Sequence, residues 1–299
     1  MEVRKKLKSF NLYHLFLICI LILISCITAP TVLFAQLLPG EAEAKLTNAE
    51  KFLLKNKLND AQREISLGLK STKDDATLSY YYAFQTRIYV HFDSVLLAKR
   101  TSDSSWIYAS KTNNPAAKAN ALLSKGIVNN YLGNLDEVVK DVQEGLTLLS
   151  DNDKAASTKA FLFYLLYSVY SNWSQTEKME INVLQSLKFA QLANNKNILV
   201  NAYNGLSSTY LIKYENEKKQ VFLDSSLFYL KKSWETYQKT PDEVSISTFI
   251  ITSINIANHY LQYSDKPLSE RKREAYKYLD EAEMIAQKEK TVSDWLASI

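Results

Sequence analysis

The sequence predicts an all-α protein, an α-solenoid of about six helical hairpins that follows an N-terminal apolar leader. Three observations predict it. Residues 103–112 (Asp-Ser-Ser-Trp-Ile-Tyr-Ala-Ser-Lys-Thr) and 224–233 (Asp-Ser-Ser-Leu-Phe-Tyr-Leu-Lys-Lys-Ser) carry one pattern twice, each with a tyrosine, Tyr89 or Tyr210, at the same distance upstream. Glycine and proline are scarce, six and five in 299 residues, and Pro115, Pro241 and Pro267 fall between apolar periodic segments, where they punctuate helices. An apolar content of 46% supports a large core, which an array of two-helix units buries between neighbours.

The leader comes first in the chain. Residues 1–35 have a basic start, an uncharged apolar stretch over 15–24 and then Phe34-Ala35-Gln36, the layout of a secretory signal peptide cut after Ala35. Two alternatives stand beside it. Leu23-Ile24-Ser25-Cys26 has the form of a lipoprotein box, in which Cys26 is lipidated, although the residues after it stay apolar. As one helix, residues 15–35 would run about 31 Å, enough for a membrane anchor, with Pro30 kinking it. Every reading exports the remainder to the periplasm or cell envelope. Both cysteines, Cys19 and Cys26, lie in this leader, so cleavage after Ala35 leaves a chain with no disulfide and no thiolate chemistry.

The array is expected over 42–290, with units beginning near Ala42, Ser79, Ala119, Ala160, Val200 and Ile250. In the third unit Gly126, Gly133-Asn134, Val138, Val142 and Gly145 carry small residues where close helix crossing needs them. The first has Ala49, Phe52, Ala61, Ile65 and Gly68 in the same places, and the fourth has Leu166, Tyr170, Met179, Val183 and Ser186. The fifth has Ser207, Tyr210, Ser226, Leu230 and Ser233, and the sixth Ala257, Tyr260, Ala275, Leu279 and Ala282. This pattern resembles the tetratricopeptide repeat, of a bacterial exported or sensor type with lengthened units. The resemblance implies that Gly126, Val138, Gly145, Ser207, Ser226, Ser233, Ala257, Ala275 and Ala282 serve packing between helices. Tyr167 departs from it, standing where the family keeps a small residue.

Units two, five and six read as longer than the rest, by six or seven residues or about 9–10 Å of helix, because Tyr89–Ser105, Tyr210–Ser226 and Tyr260–Ala275 are widely spaced. Residues 291–299 read as the start of a further helix, either truncated or capping the array.

The chemistry-bearing residues are few. His91 and His259 stand alone without metal-ligand spacing, and the glycines never cluster into a phosphate-cradling loop, so no cofactor, metal or catalytic group is assigned. Nineteen tyrosines and twelve phenylalanines at helical spacing read as wedges between helices. Of the formal charge of +4, the first 35 residues carry +3, which leaves no basic field for nucleic acid.

The tetratricopeptide resemblance implies instead a partner-binding concave groove lined by the first helix of each unit. Its positions fall on Arg87, Asn120, Asn130, Tyr131, Tyr164, Asn172, Asn201, Asn204, Asn258 and Gln262, beside apolar Leu123, Ile251 and Ile254. An asparagine ladder can both donate to and accept from an extended peptide backbone. With Arg87 as its one cation, the groove lacks the basic residues with which one branch of the family clamps a C-terminal carboxylate. The expected function is a non-enzymatic scaffold for a protein or peptide partner at the bacterial cell envelope. The alternative is the sensory part of a membrane-bound transcriptional regulator or kinase whose output domains lie beyond Ile299.

Overall fold

The computed structural model describes residues 38, 40–150 and 155–289. The leader, Cys26 included, and the expected further helix at 291–299 lie outside the described residues. Within them the chain forms twelve helices and no strand: α1 Gly40–Leu54, α2 Leu58–Ser71, α3 Asp75–His91, α4 Val95–Ser110, α5 Pro115–Tyr131, α6 Leu135–Leu148, α7 Ala156–Asn172, α8 Thr176–Leu192, α9 Lys196–Glu217, α10 Gln220–Lys239, α11 Ile246–Tyr263 and α12 Leu268–Lys288. They pair as six antiparallel hairpins, and each hairpin packs on the next to give an all-helical repeat solenoid.

Four of the six hairpin turns share one local solution. The residue after the first helix's last cap adopts a left-handed conformation: Asn56 at φ 56°, Asp93 at 56°, Gly133 at 77° and Ser174 at 55°. The next amide then reaches back five residues, Lys57 to Phe52, Ser94 to Tyr89, Asn134 to Asn129 and Gln175 to Tyr170, at 2.8–2.9 Å. That bond satisfies a carbonyl the helix end would leave open. Five residues beyond the left-handed position the second helix buries Ala61, Ala98, Val138 or Met179 completely. The openings of the first helices are marked differently, by side-chain caps. Asp74 accepts from the Thr77 amide, Asn114 from those of Ala116 and Ala117 with Pro115 at the first position, Asn195 from Ile198 and Ser245 from Thr248.

The odd-numbered helices pack side by side as an inner layer, while the even-numbered ones lie between them on the outside. Burial follows that division. Thirteen of the seventeen residues of α7 are buried against four of fourteen in α6, so inner helices are enclosed nearly all round and outer helices along one stripe. The Lys55 ammonium, just after α1, lies 2.9 Å from the Asp242 carboxylate, just before α11, so the array bends round far enough for its two ends to meet.

Glycine makes room at the crossings. A Cβ on Gly126 would lie 2.8 Å from Leu165 Cδ2, and one on Gly145 would lie 3.2 Å from Leu162 Cδ1, both atoms belonging to the next inner helix. Tyr167 is fully buried in a place expected to be small, and the following hairpin compensates: a Cβ on Gly205 would lie 3.2 Å from its ring. Val138, Ala257, Ala275 and Ala282 are buried, as expected of packing positions. Ser207 and Ser226 share a hydroxyl pair at 2.9 Å, and Ser233 meets Thr252 of the next inner helix at 3.1 Å.

The second hairpin corrects the expected repeat lengths. Helices α3 and α4 have 17 and 16 residues, as in the ordinary hairpins, whereas α9 and α10 have 22 and 20 and α12 has 21. Ser105 bonds the Ser79 carbonyl at 2.9 Å near the start of its inner helix, while Ser226 meets Ser207 in the middle of its own. The two copies of the ten-residue segment therefore sit at different heights. The counterpart of Ser226 in the second hairpin is Ala98, seven residues before Ser105. Seven residues are close to two helical turns, which preserves the apolar phase and makes the two alignments look alike.

Candidate interaction surface

The expected groove positions lie on the inner layer, and most are enclosed. Arg87, Asn120, Asn130, Tyr164, Asn201 and Asn204 are all buried, as are apolar Leu123 and Ile251. The groove assignment is corrected for these residues. Their side chains are enclosed within the array and are not accessible to a peptide.

Their partners show what they do instead. The Arg87 guanidinium grips Glu50 of α1 with two contacts, Nη1 to Oε2 at 2.9 Å and Nη2 to Oε1 at 3.0 Å, and lies 4.7 Å above the Phe84 ring. Burial pushes the Glu50 carboxyl up to about 7, with Arg87 pulling the other way. The asparagine ladder is real but binds within the chain. Asn197 Oδ1 accepts from the Ser245 amide at 2.9 Å, Asn201 Oδ1 from the Thr248 hydroxyl at 3.4 Å, and Asn204 Nδ2 donates to the Thr252 hydroxyl at 2.8 Å, joining α9 to α11. Asn130 Oδ1 accepts from Ser168 at 3.5 Å across α5 and α7. His259 is buried, its Nε2 lies 3.2 Å from the Leu223 carbonyl, and burial lowers its pKa. Among the described residues no group of three or more histidine, cysteine or acidic side chains is placed to hold a metal ion.

The remaining candidates are accessible and share one location. Tyr131 is exposed, its hydroxyl donating to Asp93, and so are Asn172 and Gln262, while Asn258 is half-buried. All four lie in the last turns of inner helices, along the edge of the solenoid where the hairpins turn. Sequence reasoning missed their neighbours. Phe92, Leu132 and Trp173 cap the ends of α3, α5 and α7 and are 39%, 45% and 37% exposed, an apolar side chain at the same place in three successive hairpins. Their signal in the sequence is an aromatic or leucine directly before each left-handed residue. Beyond them the inner helices stay half-open at Leu211, Ile212 and Leu261, where the long α9 projects beside α11.

Ring stacking supplies a second recurring feature. Tyr82 stacks on Tyr108 at 5.4 Å, Phe163 on Phe189 at 5.7 Å and Tyr203 on Tyr229 at 6.1 Å, joining the two helices of hairpins two, four and five. Each pair is twenty-six residues apart in sequence. These aromatics wedge helix on helix.

The fold and this edge define the class: an all-helical repeat solenoid. Among solved structures it is similar to BtubC (BKLC) from P. vanneervenii, with a TM-score of 0.54 and 14% sequence identity over 80% of this chain and 93% of that one. No protein-family model and no curated protein matches the chain. Among the described residues no helix is long and apolar enough to cross a membrane.

Proposed function

We propose that this chain is a non-enzymatic interaction scaffold of tetratricopeptide type, exported to the cell envelope, which holds a protein segment along the turn edge of its solenoid. The observation that carries the reading is the coincidence on one edge of the accessible groove candidates, Tyr131, Asn172, Asn258 and Gln262, with the exposed apolar caps Phe92, Leu132 and Trp173. Aromatic and apolar anchors beside amides that both donate and accept are what an extended or irregular segment needs, and repeats present them at regular intervals. The leader supports export, and the array supports binding over catalysis because repeated units supply surface rather than a constellation of reacting groups.

The test passes envelope extract over the immobilised protein and over two variants. Tyr131→Ala with Trp173→Ala is expected to lose at least about tenfold in affinity for a retained partner, with folding unchanged, since both side chains are exposed. Asn201→Ala with Asn204→Ala is expected to lower stability by about 1–3 kcal/mol per site and leave binding intact where the variant is folded. The opposite pattern, binding lost in the asparagine variant and kept in the edge variant, would return the site to the inner face.

A further inference from the structure

A cleft of about 130 Å³ lies between the second and third hairpins, lined by Lys99 and Asp103 of α4, Lys125, Val128 and Asn129 of α5, and Asn134 at the start of α6. At about 30 Å³ for each water, it holds roughly four water-sized groups, well short of the roughly 300 Å³ at which drug-sized sites begin. Its charges are arranged in an uneven way. The Lys125 ammonium sits 3.6 Å from the buried Asp141 carboxylate and 5.6 Å above the Trp106 ring, so its charge is already answered. Asn129 donates to the same carboxylate at 3.1 Å. Lys99 and Asp103, one helical turn apart, are exposed and form no ion pair among the described residues, and the Asn134 side chain makes no capping bond.

We infer that this cleft is a binding site for a free α-amino acid with a short side chain, its carboxylate on Lys99 and its ammonium on Asp103. Asp141, behind the lining, answers Lys125, and the two charges left at the mouth are Lys99 and Asp103, so a ligand carrying one charge would meet only one of them. A dipolar ligand meets both. The Asn129 and Asn134 amides can bond either end of it, and Val128 supplies the apolar wall for its side chain. The inference does not depend on the turn-edge reading, and its failure would leave that reading where it stands.

Calorimetric titration of the full chain with L-alanine, L-serine and L-asparagine tests it, with acetate and ethylammonium as single-charge controls. At least one amino acid is expected to bind at concentrations below about 1 mM, and both controls at least about tenfold more weakly. Lys99→Met and Asp103→Asn should each weaken that binding at least about tenfold while leaving the melting temperature of the free protein unchanged, because neither side chain is in the core. Absence of heat with all three amino acids at about 10 mM overturns the inference. So does acetate binding as tightly as the amino acids, which would mark a simple anion site.

Discussion

Arg87 illustrates how a residue's surroundings decide its role. A cation on the inner face of an open superhelix would await an acidic partner, but here Glu50, thirty-seven residues earlier, already accepts a hydrogen bond from Nη2 and pairs in charge with Nη1, with less than a tenth of either side chain exposed. Taking both charges out of water is costly, and the Glu50 carboxyl rises from its ordinary 4.5 to about 7. A carboxyl raised in the folded state binds its proton more tightly there than in the unfolded chain. Its contribution to stability is complete below about 4.5 and is lost as pH rises through about 7. His259 works in the opposite sense, since burial lowers its pKa and its contribution is lost as pH falls. The comparison with Glu50→Gln therefore isolates the carboxyl. In urea unfolding, wild type is expected to lose up to about 3 kcal/mol more than the variant between pH 4.5 and 8. Equal slopes in the two proteins would remove Glu50 as the source. Neither residue announces this pairing in the sequence, because the tightness of the superhelix is set by packing between units and not by any one segment.

At the scale of the hairpin, the turns carry the information that the ten-residue repeat obscured. Gly133 is the one glycine among four left-handed turn residues, and Asn56, Asp93 and Ser174 hold the same conformation with a Cβ attached. A side chain there costs about 1 kcal/mol, less for Asn and Asp than for Ser. Ser174→Gly is thus expected to stabilise the protein by about 0.5–1 kcal/mol and Gly133→Ala to destabilise it by about 1–2 kcal/mol, read as shifts in the denaturation midpoint. No gain at Ser174 would mean that its hydroxyl or the entropy of the unfolded chain outweighs the strain. Hairpin number, approximate starts and most small packing positions were legible in the sequence, since apolar spacing recurs in each unit. The alignment of the second hairpin was not, because a slip of two helical turns leaves the buried stripe in place. The fit of Gly205 to Tyr167 was equally hidden. Large and small residues exchange places between neighbouring hairpins, and no single repeat records the exchange.

For the molecule as a whole, the burial of its inner helices and the contact between its ends raise the question of whether the array behaves as a closed body or a line of neighbours. Among the described residues the ion pair that links the ends is Lys55 with Asp242, with side chains 34% and 83% exposed. Exposed pairs of this kind contribute about 0–1 kcal/mol. The junction between the fifth and sixth hairpins is far larger. There Tyr237 stacks on Phe249 with ring centroids 3.9 Å apart, Val200, Ile246 and Ala282 share one core, and the asparagines of α9 bond the start of α11. A chain ending at residue 243 would leave that polar ladder without partners, at about 1–3 kcal/mol for each buried group, and would uncover the apolar surface beside it. Hydrogen exchange of this truncated chain is expected to show α9 and α10 losing protection together while α1 to α6 retain theirs, because each hairpin of a solenoid is stabilised by the ones it touches. Loss of protection at α1 and α2 in the truncated chain, or in the full chain carrying Asp242→Ala, would instead make the closing contact an energetic part of the fold.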